Sequence, residues 1–199
     1  MSTKLKDSFE AFLAARIRAE REARGWSLED LAARSAVSRA MISRVERGES
    51  SPTAALLGRL SAAFGLSLSR LLARAEDGAG GRLRRAGKER PWRDPATGFL
   101  RRTLTPDDES NAFPLELVSC ELPPGAEIAY PAAAYSFILD QQIVVLSGRL
   151  RFRQGGETCE LGPGDCLRLG PPADTVFGNR GKTPCRYLVA VLRRHAVGA

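Results

Sequence analysis

The sequence predicts two domains of different class, an α-helical domain followed by an all-β domain. Its 199 residues suffice for two domains, and 43% hydrophobic and 27% charged residues are typical of a globular chain. Apolar residues recur about every 3.6 residues up to residue 72 and about every second residue beyond residue 99. The segment between them, AEDGAGGRLRRAGKERPWR, is rich in glycine and arginine. We therefore expect a multi-domain α + all-β chain with helices in 1–75, a linker in 76–98 and a β-barrel in 99–199.

The first helix is predicted by apolar residues at spacings of three and four. Phe9, Phe12, Leu13 and Ile17 fall on one helical face, while charged residues occupy most of the remaining surface. Gly25 is expected to end this helix, because glycine adopts the left-handed conformation common at helix ends.

Four shorter helices are expected after this glycine. Ser27 and Asp30 have the spacing of a capping box at the start of the second helix. Ser38 is placed to cap a third helix that runs to about residue 47. Pro52 is expected in the first turn of a fourth helix, and Ser67 caps a fifth.

The second and third helices carry the pattern of a DNA-binding motif. Small and apolar positions allow two short helices to pack at a steep angle, and these are Leu31, Ala32, Val37, Ile42 and Val45. The stretch RGWSLEDLAARSAVSRAMISRVERGESSPTAALLGRLSAAFGLSLSRLL resembles the helix-turn-helix of phage-repressor-like regulators, the XRE type. The resemblance implies a five-helix lambda-repressor-like domain that binds double-stranded DNA, with the third helix in the major groove.

The same resemblance assigns the DNA-binding residues. The expected set on the third helix is Ser38, Arg39, Ala40, Ser43, Arg44 and Arg47. Arginine can form two hydrogen bonds with guanine, and short side chains let the helix approach the bases. Glu46 is expected to pair within the domain instead of facing DNA. The alternative is a helical protein-interaction module with an ordinary charged face.

The distribution of charge agrees with a partner that is a polyanion. The net charge is +7, with 13 basic and 8 acidic side chains in residues 1–75 and 8 and 4 in residues 76–102. Residues 103–199 carry 9 basic and 11 acidic side chains. The excess positive charge therefore lies in the first half, where DNA is expected to bind.

The second half is predicted to form many short antiparallel strands. Alternating segments such as PLELVSCEL, QQIVVLSG and CRYLVAVLRR are separated by turns rich in proline and glycine. The segments LPPGAEI, QQIVVLSGRLRF and LGPGDCLRLGPPADTVFGN resemble those of a small cupin. The resemblance implies a double-stranded β-helix, or jelly-roll, barrel that acts as a sensor or dimerisation domain behind the DNA-binding domain.

Metal-binding cupins supply three histidines and usually a glutamate at fixed positions. Here those positions hold Tyr130, Ala132, Gln141 and Thr175, and His195 is the one histidine of the sequence. Since a divalent transition metal needs several nitrogen and oxygen donors converging on one point, we expect no metal and no cofactor. We therefore expect a protein that is not an enzyme. A cupin-type isomerase or dioxygenase fused to a DNA-binding domain is the alternative from another class.

A barrel without a metal still has an interior for a small-molecule effector. The polar residues expected at its mouth are Tyr130, Tyr135, Gln141 and Thr175, and the expected apolar walls are Phe137, Phe152 and Phe177. The alternative is a closed core in a barrel that serves only for dimerisation.

Several further properties follow from the pattern as a whole. The sequence has no apolar run of membrane-spanning length and no signal-peptide pattern, so we expect a cytoplasmic protein. The four cysteines show no C-x-x-C spacing, which argues against structural zinc, while Cys159 and Cys166 leave a redox role open. A homodimer is expected, because two recognition helices on adjacent half-sites multiply specificity for an operator.

Overall fold

Five α-helices precede ten β-strands in the part of the chain that the computed structural model describes, which is residues 3–72, 83–85, 91–106 and 114–194. The helices are α1 (Thr3–Glu22), α2 (Leu28–Ser35), α3 (Arg39–Glu46), α4 (Ala54–Phe64) and α5 (Leu68–Leu72). This order confirms the predicted α + all-β class. His195 lies outside the described residues, as does most of the range predicted as linker.

Side-chain caps determine where the helices of the motif begin. The Ser27 hydroxyl accepts a hydrogen bond from the Asp30 backbone N–H at 3.1 Å, and the Asp30 carboxylate accepts one from the Ser27 backbone N–H at 2.9 Å. These two bonds form the predicted capping box. Ser38 caps α3 by accepting from the Met41 backbone N–H at 3.3 Å.

The start of α4 corrects the sequence prediction. Pro52 precedes the helix, which begins at Ala54 after the capping residue Thr53. The Thr53 hydroxyl accepts a hydrogen bond from the Leu56 backbone N–H at 3.3 Å. Thr53 is the capping residue because its hydroxyl accepts a hydrogen bond from an N–H of the first turn, and proline has no side-chain group that can do so.

The helical core contains the apolar faces that the sequence predicts. Its buried side chains include Leu13, Ile17, Leu31, Val37, Ile42, Val45, Leu57, Leu60 and Leu71. Phe9, Phe12 and Ala32 belong to the same predicted faces but are only half-buried. The packing of α2 on α3 leaves one side of α3 facing solvent.

Two antiparallel sheets form the barrel. The strands are β1 (Trp92–Arg93), β2 (Leu100–Thr103), β3 (Leu115–Leu122), β4 (Glu127–Tyr130), β5 (Ile138–Ser147), β6 (Leu150–Gln154), β7 (Glu157–Leu161), β8 (Cys166–Arg168), β9 (Thr175–Gly178) and β10 (Cys185–Arg193). One sheet has the order β1-β2-β3-β10-β5-β8 and the other β4-β9-β6-β7. A 3-10 turn, Ala132–Tyr135, joins β4 to β5.

Strand β1 lies inside the range predicted as linker. Trp92 is buried, and β1 pairs antiparallel with β2, where Trp92 is opposite Arg101 and Arg93 is opposite Leu100. A tryptophan with a sheet edge beside it gains more from burial than from remaining in a solvated segment. This two-residue strand could not be predicted from the sequence, because the residues before it are rich in glycine and arginine and show no strand pattern.

The turn between β5 and β6 requires glycine. Gly148 has φ +79°, and a Cβ atom added to it would lie 2.7 Å from the carbonyl oxygen of Pro184. A larger residue is excluded by the left-handed backbone of Gly148 and by the close approach of the Pro184 backbone. The predicted glycine at the end of IVVLSG therefore has a steric role in closing the barrel.

The helical domain packs directly on one end of the barrel. Helix α4 contacts β4 and the 3-10 turn, and a Cβ atom added to Gly58 would lie 2.6 Å from Cδ1 of Tyr130. Ser67 caps α5 by accepting from the Arg70 N–H at 3.2 Å, and its hydroxyl also donates to Glu116 of β3 at 2.8 Å. In the described residues, no helix is long and apolar enough to cross a membrane.

Candidate functional sites: the face of α3 and the pocket between the domains

The solvent-facing side of α3 displays the side chains predicted to bind DNA. Ser38, Arg39, Ala40 and Arg44 are exposed, while Ser43 is half-buried. Ile42 and Val45 on the opposite side are fully buried in the core. The arrangement presents a short, convex face of small and cationic groups, the shape that enters a major groove.

The three arginines of this face differ in their partners. Arg39 forms an exposed ion pair with Glu29 of α2 at 2.7 Å. Arg47 donates twice to the Glu49 carboxylate, at 2.7 Å each, and once to the Ser43 hydroxyl. These bonds raise the pKa of Arg47 and lower that of Glu49, chiefly because each group hydrogen-bonds to the charged form of the other.

Arg44 has no carboxylate partner among the described residues. Its guanidinium donates to the sulfur of Met41 at 3.9 Å, and its charge lowers the pKa of Glu49 without forming an ion pair with it. The side chain is exposed and one helical turn beyond Ala40. Of the three arginines, Arg44 is therefore the one whose hydrogen-bond donors remain open to a ligand without breaking an ion pair.

Glu46 pairs within the domain, as predicted. Its two carboxylate oxygens each accept a bond from the Arg21 guanidinium at 2.7 Å, and Arg21 also donates to the Trp26 carbonyl at 2.8 Å. The side chains of Arg21 and Glu46 are 12% and 7% exposed. This bidentate pair ties α1 to the end of α3 and so holds the orientation of the exposed face.

A pocket of about 70 Å³ lies where the helical domain meets the barrel. Three of the four predicted effector residues line it, namely Tyr130, Tyr135 and Gln141. Thr175 is fully buried and sits behind them, hydrogen-bonded to the Tyr135 hydroxyl. The register of β4 with β9 places Thr175 directly opposite Tyr130.

The predicted aromatic walls are partly correct. Phe137 and Phe177 line the pocket, and Phe152 packs edge-on against Phe177 with ring centroids 4.9 Å apart. Burial raises the pKa of the Tyr135 hydroxyl to about 12 and that of the Cys120 thiol to about 11. Both groups therefore remain protonated and uncharged at neutral pH.

Part of the lining comes from residues that sequence patterns did not single out. Helices α4 and α5 and strands β2 and β3 contribute Gly58, Ser61, Ser67, Leu68, Arg101, Glu116 and Cys120. Their positions depend on how the two domains dock and on the pairing of Arg101 with Cys120 across β2 and β3. The one available signal was the inward position of a charged residue in an alternating strand, as at Glu116.

The positions that hold metal ligands in cupin enzymes do not fit a metal here. Tyr130, Ala132, Gln141 and Thr175 offer no imidazole and no carboxylate, and the Thr175 hydroxyl is already bonded to Tyr135. Among the described residues, no three His, Cys, Asp or Glu side chains come close enough to hold a metal ion. These four side chains therefore offer neutral groups and not the nitrogen and carboxylate donors that a transition metal needs.

The cysteines discussed for a redox role lie on different sheets. Cys159 belongs to β7 and Cys166 to β8, and both are free thiols. Cys166 is exposed and lies 3.9 Å from the side-chain oxygen of Gln142. The two strands do not pair with each other across the turn that joins them, because β7 pairs with β6 and β8 pairs with β5.

Comparison with known proteins gives two family matches. The helix-turn-helix family matches residues 17–71, which contain α2 and α3, and the cupin domain family matches residues 119–191, which contain β4 to β9. Each match falls on the domain whose fold corresponds to it.

Two relatives cover most of this chain, and a third covers about half of it. The HTH-type transcriptional regulator SutR of Escherichia coli strain K12 is 25% identical over 176 residues, which are 88% of this chain and 92% of SutR. The crystal structure of an HTH_3 family transcriptional regulator from Vibrio cholerae has a TM-score of 0.75 at 22% identity, over 95% of this chain and 99% of that one. The cupin domain of an XRE family regulator from Enterobacter cloacae is 21% identical over 49% of this chain and 98% of that domain, with a TM-score of 0.43.

The helical fold defines a DNA-binding protein of the helix-turn-helix class, and the second domain is a cupin barrel. Two relatives that cover most of this chain are transcriptional regulators. The chain carries a helix-turn-helix domain followed by a cupin domain, and over most of its length it is similar to transcriptional regulators.

Proposed function

We propose that this regulator acts as a homodimer in the cytoplasm, reads its operator through the exposed face of α3, and changes its DNA affinity when a small effector occupies the cupin pocket. The observation that carries the DNA assignment is Arg44, an exposed arginine of α3 without a carboxylate partner among the described residues. Ser38, Arg39, Ala40, Ser43 and Arg47 complete the proposed interface. The proposed domain limits are 1–75, 76–98 and 99–199.

The barrel is proposed to bind its effector without catalysing a reaction. Support comes from the donor set, since Tyr130, Gln141 and Thr175 offer neutral hydroxyl and amide groups where cupin enzymes place metal ligands, and Tyr135 adds a further hydroxyl. Such groups orient a ligand by hydrogen bonds and have no activated nucleophile or base among them.

The homodimer is proposed to form through the outer surface of the six-stranded sheet. Leu104, Leu115 and Leu117 are between 36% and 39% exposed there, and the Leu104 N–H bonds to the Leu117 carbonyl at 2.7 Å, so they form one patch. Exposed leucines grouped on one sheet face are typical of an interface. Leu117→Arg should halve the mass measured by light scattering, and a wild-type chain that is already monomeric would contradict the dimer.

In vitro selection from random duplex DNA tests the function as a whole. The full chain should enrich one sequence containing two related half-sites about one helical turn apart. Footprinting on DNA that flanks its own gene should then protect a site of that sequence. Enrichment of no sequence, with binding that depends only on salt, would contradict the regulator.

A further inference from the structure

The pocket between the domains has polar walls from both of them. Ser61 and Ser67 come from the helical domain, whereas Arg101, Glu116 and Tyr130 come from the barrel. A volume of about 70 Å³ corresponds to about five water-sized positions. The pocket therefore suits an organic molecule of about five to seven non-hydrogen atoms.

Arg101 supplies positive charge without a carboxylate partner among the described residues. Its Nη2 donates to the Ser69 hydroxyl at 2.8 Å, and its Nε atom is buried without a hydrogen-bond partner among the described residues. Arg101, Tyr130 and Tyr135 line the same pocket, and the positive charge of Arg101 partly offsets the rise that burial causes in the pKa of both tyrosines. A half-buried guanidinium with an unused N–H in a pocket lined by two tyrosines is suited to a carboxylate.

Glu116 provides an acceptor in the same pocket. One of its oxygens, Oε1, is used by Arg193 at 2.8 Å and by the Ser67 hydroxyl at 2.8 Å. The other oxygen, Oε2, is buried without a hydrogen-bond partner among the described residues, and so is the Tyr130 hydroxyl. A buried polar group without a partner costs free energy, which a ligand with matching groups would recover.

We propose that this pocket binds a small carboxylate that also carries a hydrogen-bond donor, the class of short hydroxy acids and amino acids. The carboxylate is held by Arg101 and the hydroxyl or ammonium group by Glu116 and Tyr130. The proposal rests on the proposed function in one respect, because it takes this ligand to be the effector. A neutral molecule of the same size leaves Arg101 without an anion, and a simple fatty acid leaves Glu116 without a donor.

The same residues connect the ligand to the position of the DNA-binding domain. Ser67 and Ser69 at the start of α5 bond to Glu116 and Arg101, the two groups that hold the ligand. A molecule in this pocket therefore contacts α4 and α5 on one side and the barrel on the other. Its binding energy stabilises the docked arrangement of the domains over any undocked one.

Thermal unfolding of the full chain with a defined panel of compounds tests the proposal. The panel contains glycolate, both enantiomers of lactate, glycine and both enantiomers of alanine, each up to about 20 mM at constant ionic strength. At about ten times its Kd, a ligand should raise Tm by about 3–5 °C. Lactamide and propionate are the controls, because the first lacks the carboxylate and the second lacks the donor.

The expected result is that at least one hydroxy acid or amino acid raises Tm and that lactamide and propionate do so much less. An equal response to lactamide overturns the role of the carboxylate, and an equal response to propionate overturns the role of the donor. The absence of any response across the panel overturns the proposal as a whole.

Two variants locate the response. Arg101→Gln should abolish the rise in Tm. Ser69→Ala is the control, because it also removes the hydrogen bond between Arg101 and Ser69 but keeps the guanidinium, so the rise in Tm should remain. A response that persists in Arg101→Gln overturns the assignment. If Arg101→Gln does not fold, the comparison of lactate with lactamide on the unmodified chain still decides the role of the carboxylate.

DNA binding is measured separately, so that the two proposals fail independently. If the chain binds the selected operator and no compound of the panel raises Tm, the proposed ligand class is wrong and the DNA-binding proposal is unaffected. If a hydroxy acid or amino acid raises Tm while no DNA sequence is enriched, the pocket assignment stands and the DNA-binding proposal fails.

Discussion

At the scale of single residues, the partners of the α3 arginines decide what each can do for DNA. Arg44 is open, whereas Arg47 is held by Glu49 and the Ser43 hydroxyl. Arg44 can contact a base without breaking an ion pair. Arg47 would have to break or share its ion pair with Glu49 to do the same. The exposed pairs are weak enough to be replaced by phosphate, which suits Arg39 and Arg47 to positioning the helix on the backbone.

The first prediction follows from this difference. Arg44→Ala should lower affinity for the selected operator by about 1–3 kcal/mol and affinity for random DNA much less. Arg47→Ala should lower both to a similar extent and reduce the dependence of binding on salt. Fluorescence anisotropy at several salt concentrations measures both effects. An equal loss on operator and random DNA for Arg44→Ala would make that residue a phosphate contact.

Two buried tyrosines of the pocket give the second prediction. Among the described residues the Tyr130 hydroxyl has no hydrogen-bond partner, whereas the Tyr135 hydroxyl is bonded to Thr175. Tyr130→Phe should therefore leave the free energy of unfolding unchanged or raise it by about 1 kcal/mol, and Tyr135→Phe should lower it by about 1–2 kcal/mol. Urea denaturation of the ligand-free chain compares them. Equal destabilisation by both substitutions would show that the Tyr130 hydroxyl forms a hydrogen bond in the folded protein.

At the scale of elements, local signals were sufficient for the helices and less so for the strands. Ser27, Asp30 and Ser38 fix the starts of α2 and α3 through bonds within four residues of chain, so their sequence alone predicts them. Strand β1 exists because Trp92 finds a partner in β2, and only the assembled sheet supplies it. Contacts between residues close in sequence, such as helix caps, can be predicted from the sequence. Pairing between distant strands can be predicted only where the strands show a repeated apolar pattern.

The capping box of α2 gives a prediction about pH. Hydrogen bonds from the Ser27 backbone and hydroxyl hold the pKa of Asp30 below its ordinary value. A carboxylate with a lowered pKa in the folded state adds stability above its unfolded pKa of about 3.9, and this is lost as pH falls through the lower folded pKa. Asp30→Asn should therefore lower the urea midpoint at pH 7 and lower it less at about pH 3. A difference that stays constant between these pH values would contradict the assignment.

At the scale of the whole molecule, the pocket is a product of domain docking. Tyr130 and Gln141 could be predicted because the cupin resemblance marks their positions, and Tyr135 because it is a polar residue of the same segment. Arg101 and Glu116 were missed because their roles arise only when β2 and β3 pair and α5 packs above them. The sequence thus indicates the barrel half of the site, and the helical half needs three-dimensional structure.

Docking also gives the regulator a physical route from the pocket to DNA. Helix α4 lies on Tyr130 through Gly58, whose missing side chain permits the close approach. The same helix packs against α2, which carries the DNA-binding face together with α3. In the proposed dimer, a ligand that changes the contact at Gly58 changes where α3 lies relative to the two barrels, and the spacing of the two α3 helices sets operator affinity.

Gly58→Ala tests this route. The added Cβ would lie 2.6 Å from the Tyr130 ring, so α4 or the ring must move, while the DNA-binding face of α3 is untouched. We expect the variant to bind operator DNA but to lose most of the change in affinity that the effector causes in the wild type. Adding Tyr130→Leu should restore docking by removing the ring, and limited proteolysis between the domains measures that recovery. A Gly58→Ala variant that keeps its full effector response would show that the signal reaches DNA by another path.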